Sequence, residues 1–205
     1  NRQRSIEYLL SKHELDLIIS DDGLQHLALE RQIEWIVLDQ NRGLGNQKLL
    51  PEGYLREPPS RLNTGTVIEH AAEPGSALNM HLEVATPYLL NAVEGTPFNP
   101  ADNFYAVVGI GFPQRFYKTL DSMGIHQFQG HEFPDHYDYE ITDLQFEDGN
   151  PIITTEKDAV KLLPLLKQNP DFKREIWVVP VEAVLSPGCY EVLHQQLQQL
   201  GIQIS

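Results

Sequence analysis

Leu15-Asp16-Leu17-Ile18-Ile19-Ser20-Asp21-Asp22-Gly23-Leu24-Gln25-His26, continuing to Ile33-Glu34-Trp35-Ile36-Val37-Leu38-Asp39, is the stretch whose reading decides the fold. Residues 15–19 are an apolar run of the kind that forms a strand buried on both faces. Residues 23–31 read as a short helix with Leu24, Leu27 and Ala28 on one side, and residues 33–38 as a second apolar strand ending at Asp39. Strand, helix and strand at this spacing predict a βαβ unit in a parallel sheet. In open sheets of this class, ligands bind beyond the carboxyl ends of the strands, which is where this reading puts Asp21 and Asp22. A carboxylate there can hold Mg²⁺ directly or through water, and two adjacent acids favour a cation nearby. Asp22 can equally be the N-cap of a helix starting at Gly23, so the residues alone leave both readings open.

Downstream, residues 41–62 are rich in Gly, Pro and Arg and long for a connection; long ordered loops are usually functional. Asn41-Arg42-Gly43-Leu44-Gly45-Asn46 offers tight backbone turns at its glycines. Arg42, Arg56 and Arg61 could make bidentate contacts to phosphate, or could be solvated arginines of a plain surface loop. Strands are expected at 66–69 and 79–85, with a polar Pro/Gly-containing stretch at 71–76 between them. Residues 86–102, punctuated by prolines, read as a linker.

A second alternation follows. Strands are expected at 104–108, 125–128, 151–154 and 176–179, and helices at 113–123, 139–146, 156–167 and 187–200. The expected organisation is a parallel-sheet core domain over 1–78, a linker over 79–102 and a second α/β domain over 103–205. Gly109-Ile110-Gly111-Phe112-Pro113 could place amides at a helix N-terminus for an anion, although a tight strand-to-helix turn explains it as well. Phe133-Pro134-Asp135-His136-Tyr137 sets an Asp–His pair in a loop, suited to acid–base work or to plain solvation. His126, His131, Asp135 and His136 match no common zinc spacing. Thr155 and Asp158 fit a capping box at the start of a helix, which makes residues 154–161 structural.

The bulk properties narrow the classes. Fifteen basic against 29 acidic residues give a net charge of −14, which repels bare nucleic acid and disfavours electrostatic docking on anionic lipid. The single cysteine, Cys189, cannot form an internal disulfide, in keeping with a reducing compartment. No apolar run approaches the roughly 18 residues of a membrane span, and no signal peptide is visible. No Met precedes Met80 and Asn1 opens an amphipathic stretch, so truncation of a longer chain is expected.

Each motif is modest alone; their order is specific. Asp-Asp-Gly-Leu-Gln-His from Asp21, Arg-Gly-Leu-Gly-Asn from Arg42, Leu-Leu-Pro-Glu-Gly-Tyr-Leu-Arg-Glu-Pro from Leu49, then Arg61-Leu62, Gly109-Ile110-Gly111, Phe-Pro-Asp-His from Phe133 and Thr-Glu-Lys-Asp-Ala-Val-Lys from Thr155 resemble the tetraacyldisaccharide 4'-kinase family from Ile18 to about Pro180. The resemblance implies a P-loop NTPase-like fold of two α/β units joined by a short β linker. It implies transfer of the ATP γ-phosphate, with Mg²⁺, to the 4'-hydroxyl of a tetraacyldisaccharide 1-phosphate on the cytoplasmic face of the bacterial inner membrane. The family's P-loop, membrane-docking helix and presumed base carboxylate lie in an N-terminal part, and no Gly-x-x-x-x-Gly-Lys-[Ser/Thr] occurs here, so this chain alone is expected to be inactive.

By the same resemblance, Asp21 and Asp22 are Walker-B-type acids for Mg²⁺ and nucleotide, and Gln25 and His26 line their cleft. Arg56 and Glu57 face phosphate and metal, and His136 pairs with the base carboxylate. Tyr137 stands where many relatives carry a second His, and Leu44 where an aromatic is common, both departures from the pattern. A non-catalytic nucleotide- or metal-binding α/β module is the alternative. A Rossmann-type dehydrogenase is disfavoured by the incomplete glycine fingerprint at Gly109 and Gly111.

Overall fold

The computed structural model describes residues 2–70, 76–91 and 97–203. The polar stretch expected at 71–76 therefore lies outside the described residues except for Ser76, as does 92–96 of the expected linker. In chain order the elements are α1 (Arg2–Leu10), β1 (Trp35–Asp39), a 3-10 turn (Pro59–Thr64), β2 (Thr66–His70), β3 (Asn79–Val84), β4 (Tyr88–Leu89), β5 (Phe104–Val108), α2 (Pro113–Ser122), β6 (Phe128–Glu132), a 3-10 turn (Ile141–Leu144), β7 (Ile152–Thr155), α3 (Glu156–Gln168), β8 (Ile176–Val179), β9 (Val181–Leu185) and α4 (Pro187–Gln199). The chain divides into two compact units: unit 1 is Asn1–His81 with Ala183–Ser205, and unit 2 is Leu82–Glu182.

The sheet that begins in unit 1 has the order β1-β2-β3-β9, with β1 parallel to β2 from Trp35 opposite Thr66 to Asp39 opposite His70, and β2 parallel to β3. The parallel sheet is as expected, but its first strand is not residues 15–19. Those residues form no strand, and Leu15, Leu17, Ile18 and Ile19 are exposed, Ile19 at 86%. Strand backbone needs a ladder partner, and among the described residues β1, at the sheet's end, pairs with β2 alone. Residues 23–31 are successive turns rather than a helix: the amides of His26 and Leu29 reach back three residues, to Gly23 and His26. The carbonyls a helix would use are taken by Arg31, whose guanidinium donates to the oxygens of Gly23, Leu24 and His26.

The last segment, expected with the second domain, belongs instead to unit 1. The reason is polar as well as topological. Gln196 on α4 accepts from Trp35 Nε1 at 2.8 Å and donates to Thr66 Oγ1 at 2.9 Å, tying the helix to β1 and β2. At the other end of α4, Ser186 Oγ donates to the Ala77 carbonyl at 2.8 Å. The expected linker contributes two strands, β3 and β4.

Unit 2 holds a sheet of order β4-β8-β7-β5-β6, in which β5 to β8 run parallel and β4 is antiparallel to β8. Its strands alternate strictly. Phe104, Ala106 and Val108 pack on one face with Phe116 and Leu120 of α2, Ile153 and Val179. Val107, Ile152 and Ile176 face the other way, with Leu162 of α3, Tyr139 and Leu144. Burying each Val, Leu, Ile or Phe side chain among these contributes roughly 1.5–3 kcal/mol. The strand expected at 125–128 is displaced: β6 starts at Phe128, while Ile125 is buried and its amide closes α2 on the Leu120 carbonyl, with Gly124 at φ +79° making the turn. The helix expected at 139–146 is only the 3-10 turn Ile141–Leu144.

Candidate active site

Asp21 and Asp22 lie at a turn, and Asp22 takes the left-handed conformation, φ 47°, which Asp tolerates better than most residues. That turn aims the Asp22 carboxylate at Arg56, 34 positions on. The guanidinium forks across it, Nη2 donating to Oδ1 at 2.5 Å and Nη1 to Oδ2 at 3.1 Å. Arg56, first through these hydrogen bonds and then through its charge, holds the Asp22 carboxyl below the usual carboxylate range. Both side chains remain more than half exposed, so the pair is open to ligand and weak as a contribution to stability. From α1, Arg2 donates to the backbone oxygens of Asp21, at 2.8 Å, and Asp22, at 3.0 Å. The N-cap reading of Asp22 falls away, because no helix follows it.

A second chain of contacts runs beside the first. Gln25 Nε2 donates to Glu57 Oε1 at 2.7 Å, the other Glu57 oxygen meets Arg61 Nε at 2.9 Å, and Arg61 reaches Glu34 at 2.8 Å. Arg31 completes the line on Glu34. Hydrogen bonding from Arg61, ahead of Arg31, pulls the Glu34 carboxyl down. Arg61, expected as a phosphate contact, is thus largely enclosed and committed to two carboxylates. Arg31 and Glu34 went unremarked in the sequence; only the i,i+4 spacing of Glu57 and Arg61 hinted at this network. His26 Nδ1 is enclosed with no hydrogen-bond partner among the described residues.

Arg42 sits in a loop shaped by Asp39, whose Oδ1 accepts the amides of Asn41, at 3.0 Å, and Arg42, at 3.3 Å. Its guanidinium lies over the Tyr54 ring, 4.5 Å from the centroid, and Tyr54 Oη donates to the oxygens of Arg42 and Gly43. Gly45, at φ +56°, is required: a Cβ there would stand 2.3 Å from the Tyr54 ring.

Asp21, Asp22, Gln25, His26, Arg42, Arg56 and Glu57 all lie in unit 1, whereas His136 belongs to unit 2. His136 has φ 63° and an imidazole 81% exposed, with Nε2 3.7 Å from Asp135 Oδ2. Asp135 accepts from Lys157 Nζ at 2.6 Å, and that hydrogen bond leads the effects holding its carboxyl low. The Gly109 amide is taken by Asp158 Oδ2 at 3.1 Å, which supports a tight turn over an anion site. A hollow of about 390 Å³ in unit 2, lined by Leu90, Leu166 and Lys173 among others, includes none of the expected site residues.

Among the described residues, no group of three or more His, Cys, Asp or Glu side chains is placed to hold a metal unaided. Mg²⁺ commonly uses one or two protein carboxylates and completes its shell with water and substrate phosphate, a number Asp21 and Asp22 can supply.

The family model described as tetraacyldisaccharide-1-P 4'-kinase matches residues 1–198. Curated relatives named tetraacyldisaccharide 4'-kinase are similar along the chain. That of Psychrobacter arcticus is 41% identical, with 100% of this chain and 64% of the relative covered. That of Psychrobacter cryohalolentis is 43% identical with the same coverage, and that of Halorhodospira halophila 44% identical over 85% of this chain and 51% of the relative. A crystal structure of the "apo" form of LpxK from Aquifex aeolicus in complex with ATP matches the fold with a TM-score of 0.68 at 26% identity, covering 97% of this chain and 62% of that one. The chain therefore spans about 64% of the length of the two Psychrobacter relatives.

Proposed function

The chain belongs to the tetraacyldisaccharide-1-P 4'-kinase family, and from that premise we propose that it is part of an enzyme of lipid A synthesis that transfers the ATP γ-phosphate to the 4'-hydroxyl of a tetraacyldisaccharide 1-phosphate. In that reaction the 4'-oxygen bonds to the γ-phosphorus, the bond from that phosphorus to the bridging oxygen breaks, ADP leaves, and the hydroxyl proton passes to a base. Such transfer is mostly positioning and charge stabilisation, so the protein needs carboxylates for a cation and guanidinium groups for phosphate.

The observation that carries the reading is the exposed fork between Asp22 and Arg56. Each partner holds the place of the other's ligand. With nucleotide bound, Asp21 and Asp22 would hold Mg²⁺ and Arg56 would meet phosphate oxygens, so the site would carry compatible charge with and without ligand. Bound Mg²⁺ supplies neutralisation of the phosphate charge. Glu57, steadied by Gln25, faces the same cation, His26 lines the cleft, and Arg42 offers a further phosphate contact. His136 orients and tunes the carboxylate that takes the hydroxyl proton. Among the described residues no helix is long and apolar enough to cross a membrane.

The test is turnover of the full-length enzyme carrying Asp21→Asn or Asp22→Asn. Each should lower kcat by roughly 10²-fold or more, with melting temperature little changed. Near-normal turnover of both variants at saturating Mg²⁺ would remove the metal role. The 205-residue chain alone should transfer no phosphate, because it carries no phosphate-cradling lysine loop.

A further inference from the structure

His136 stands at the apex of the segment 133–139 with a left-handed backbone and an exposed imidazole, so its own packing does not fix its place. A non-glycine residue keeps such a conformation only where its surroundings determine it. Two neighbouring residues of the first turn of α3 provide that determination. On the near side, Lys157 Nζ donates to Asp135 Oδ1 at 2.6 Å, and the same oxygen accepts the backbone amide of His136 at 3.1 Å. On the far side, Tyr139 Oη donates to Asp158 Oδ1 at 3.1 Å. Between these ties, the rings of Phe133, Tyr137 and Tyr139 pack on one another at centroid distances of 4.8 to 5.3 Å.

Asp158 is fully buried, and its oxygens also accept from the Gly109 amide and from Thr155 Oγ1, with Lys161 Nζ 3.6 Å away. A buried carboxylate met by several donors and a cation is a rigid anchor. Of the capping box expected from Thr155 and Asp158, the N-cap half is present, as the Asp158 amide donates to Thr155 Oγ1, while the Asp158 carboxylate accepts from the Thr155 hydroxyl rather than from its backbone amide. Capping, however, asks nothing of Lys157 and needs no tyrosine 19 positions away.

We propose that the first turn of α3 is the template that positions His136, with Lys157 acting through Asp135 and Asp158 acting through Tyr139. Lys157, Asp158, Asp135 and Tyr139 are positioning residues and reach the reaction only through His136. This rests on the role given to His136 above, and misplacing a catalytic group by about 1 Å can cost on the order of 10²-fold in rate.

The experiment uses the full-length kinase with Lys157→Met, Lys157→Arg, His136→Ala and the double variant His136→Ala/Lys157→Met. His136→Ala should lower kcat at least roughly tenfold, the low side of a typical acid–base contribution. Lys157→Met should lower kcat about tenfold with the KM for ATP within about twofold, and Lys157→Arg, which can still reach Asp135, should restore most of it. The double variant should be no slower than His136→Ala, since residues acting as one unit are not additive. Normal turnover of His136→Ala would overturn the role of the histidine and this inference with it. A slow His136→Ala beside a normal Lys157→Met, or fully additive losses, would overturn the positioning inference alone. A Lys157→Met variant with lowered melting temperature and unchanged kcat would do the same, leaving Lys157 a stability residue.

Discussion

Two apolar runs of similar character, Ile152–Thr155 in unit 2 and residues 15–19 in unit 1, end in opposite surroundings. Ile152 and Ile153 are wholly buried, because β7 has a strand on each side and helices over both faces of its sheet. Leu15, Leu17, Ile18 and Ile19 are exposed, α1 buries no residue, and Val37 of β1 is more than half open. The run at 15–19 is if anything the more apolar, with four apolar residues in five; the two differ in whether partners exist to take their backbone groups and cover their side chains. An apolar run is a request for a partner, and the partner decides whether it becomes a strand.

Paired substitutions sharpen that contrast, beginning with the largest effect. Ile153→Ala should destabilise unit 2 by about 2–5 kcal/mol, the range for removing a fully buried aliphatic side chain, and chemical denaturation followed by Trp177 fluorescence would measure it. A loss below about 1 kcal/mol would mean this core is less tightly packed than its burial indicates.

A smaller effect separates the units by pH. Burial holds the His131 imidazole, set edge-on to Tyr105 and tilted against Phe146, below the ordinary histidine range. The folded state thus prefers neutral His131. Its contribution is complete above the unfolded value of about 6.5 and is lost as pH falls through the folded one. Glu34 in unit 1 is held low by Arg61 and Arg31, so its contribution is complete above about 4.3 and is lost only in stronger acid. Trp35 lies in unit 1 and Trp177 in unit 2, so single-tryptophan variants can follow each unit through an acid titration. Unit 2 should weaken first, His131→Phe should flatten that response, and Glu34→Gln should flatten the later one. Coincident transitions unmoved by either substitution would contradict both assignments.

The smallest effect is expected at the open run. Ile19→Ser should change the stability of the 205-residue chain by no more than about 0.5 kcal/mol, as for an exposed residue. In the full-length protein the same change should cost about 1.5–3 kcal/mol if other sequence covers this run. Equal values in the two proteins, by denaturant melts, would show that Ile19 stays exposed in both.

What the sequence made legible follows the same line. Residues 104–108 and 176–179 were readable to the residue, because runs of β-branched and aromatic side chains flanked by turn residues meet partners in this chain. The capping pair Thr155 and Asp158 was readable because capping is local. The strand at 15–19 and the helix at 23–31 were misread because absent ladder partners and the reach of Arg31 to Gly23 and Leu24 leave no periodic trace. Asp22 and Arg56 could be picked out singly, but their fork spans 34 positions, and Gln25 and Glu57 meet across 32. Side-chain pairing at that range leaves no spacing signal. The return of α4 to unit 1 was hidden likewise, in one glutamine that bonds to Trp35 and Thr66.

The latch between Tyr54 and the Arg42 loop has a bearing on how this sequence can drift. The ring fills the space a side chain at position 45 would need, while its hydroxyl holds the turn on either side of Gly43. Neither position can change freely by itself: a methyl at 45 collides with the aromatic wall, and a smaller residue at 54 releases both carbonyls and uncovers the face on which Arg42 rests. Lineages that replace the tyrosine must find another way to pin the turn, and those that keep it are bound to glycine. The two sites are thus coupled by packing, and the ring that couples them is also the surface on which Arg42 rests.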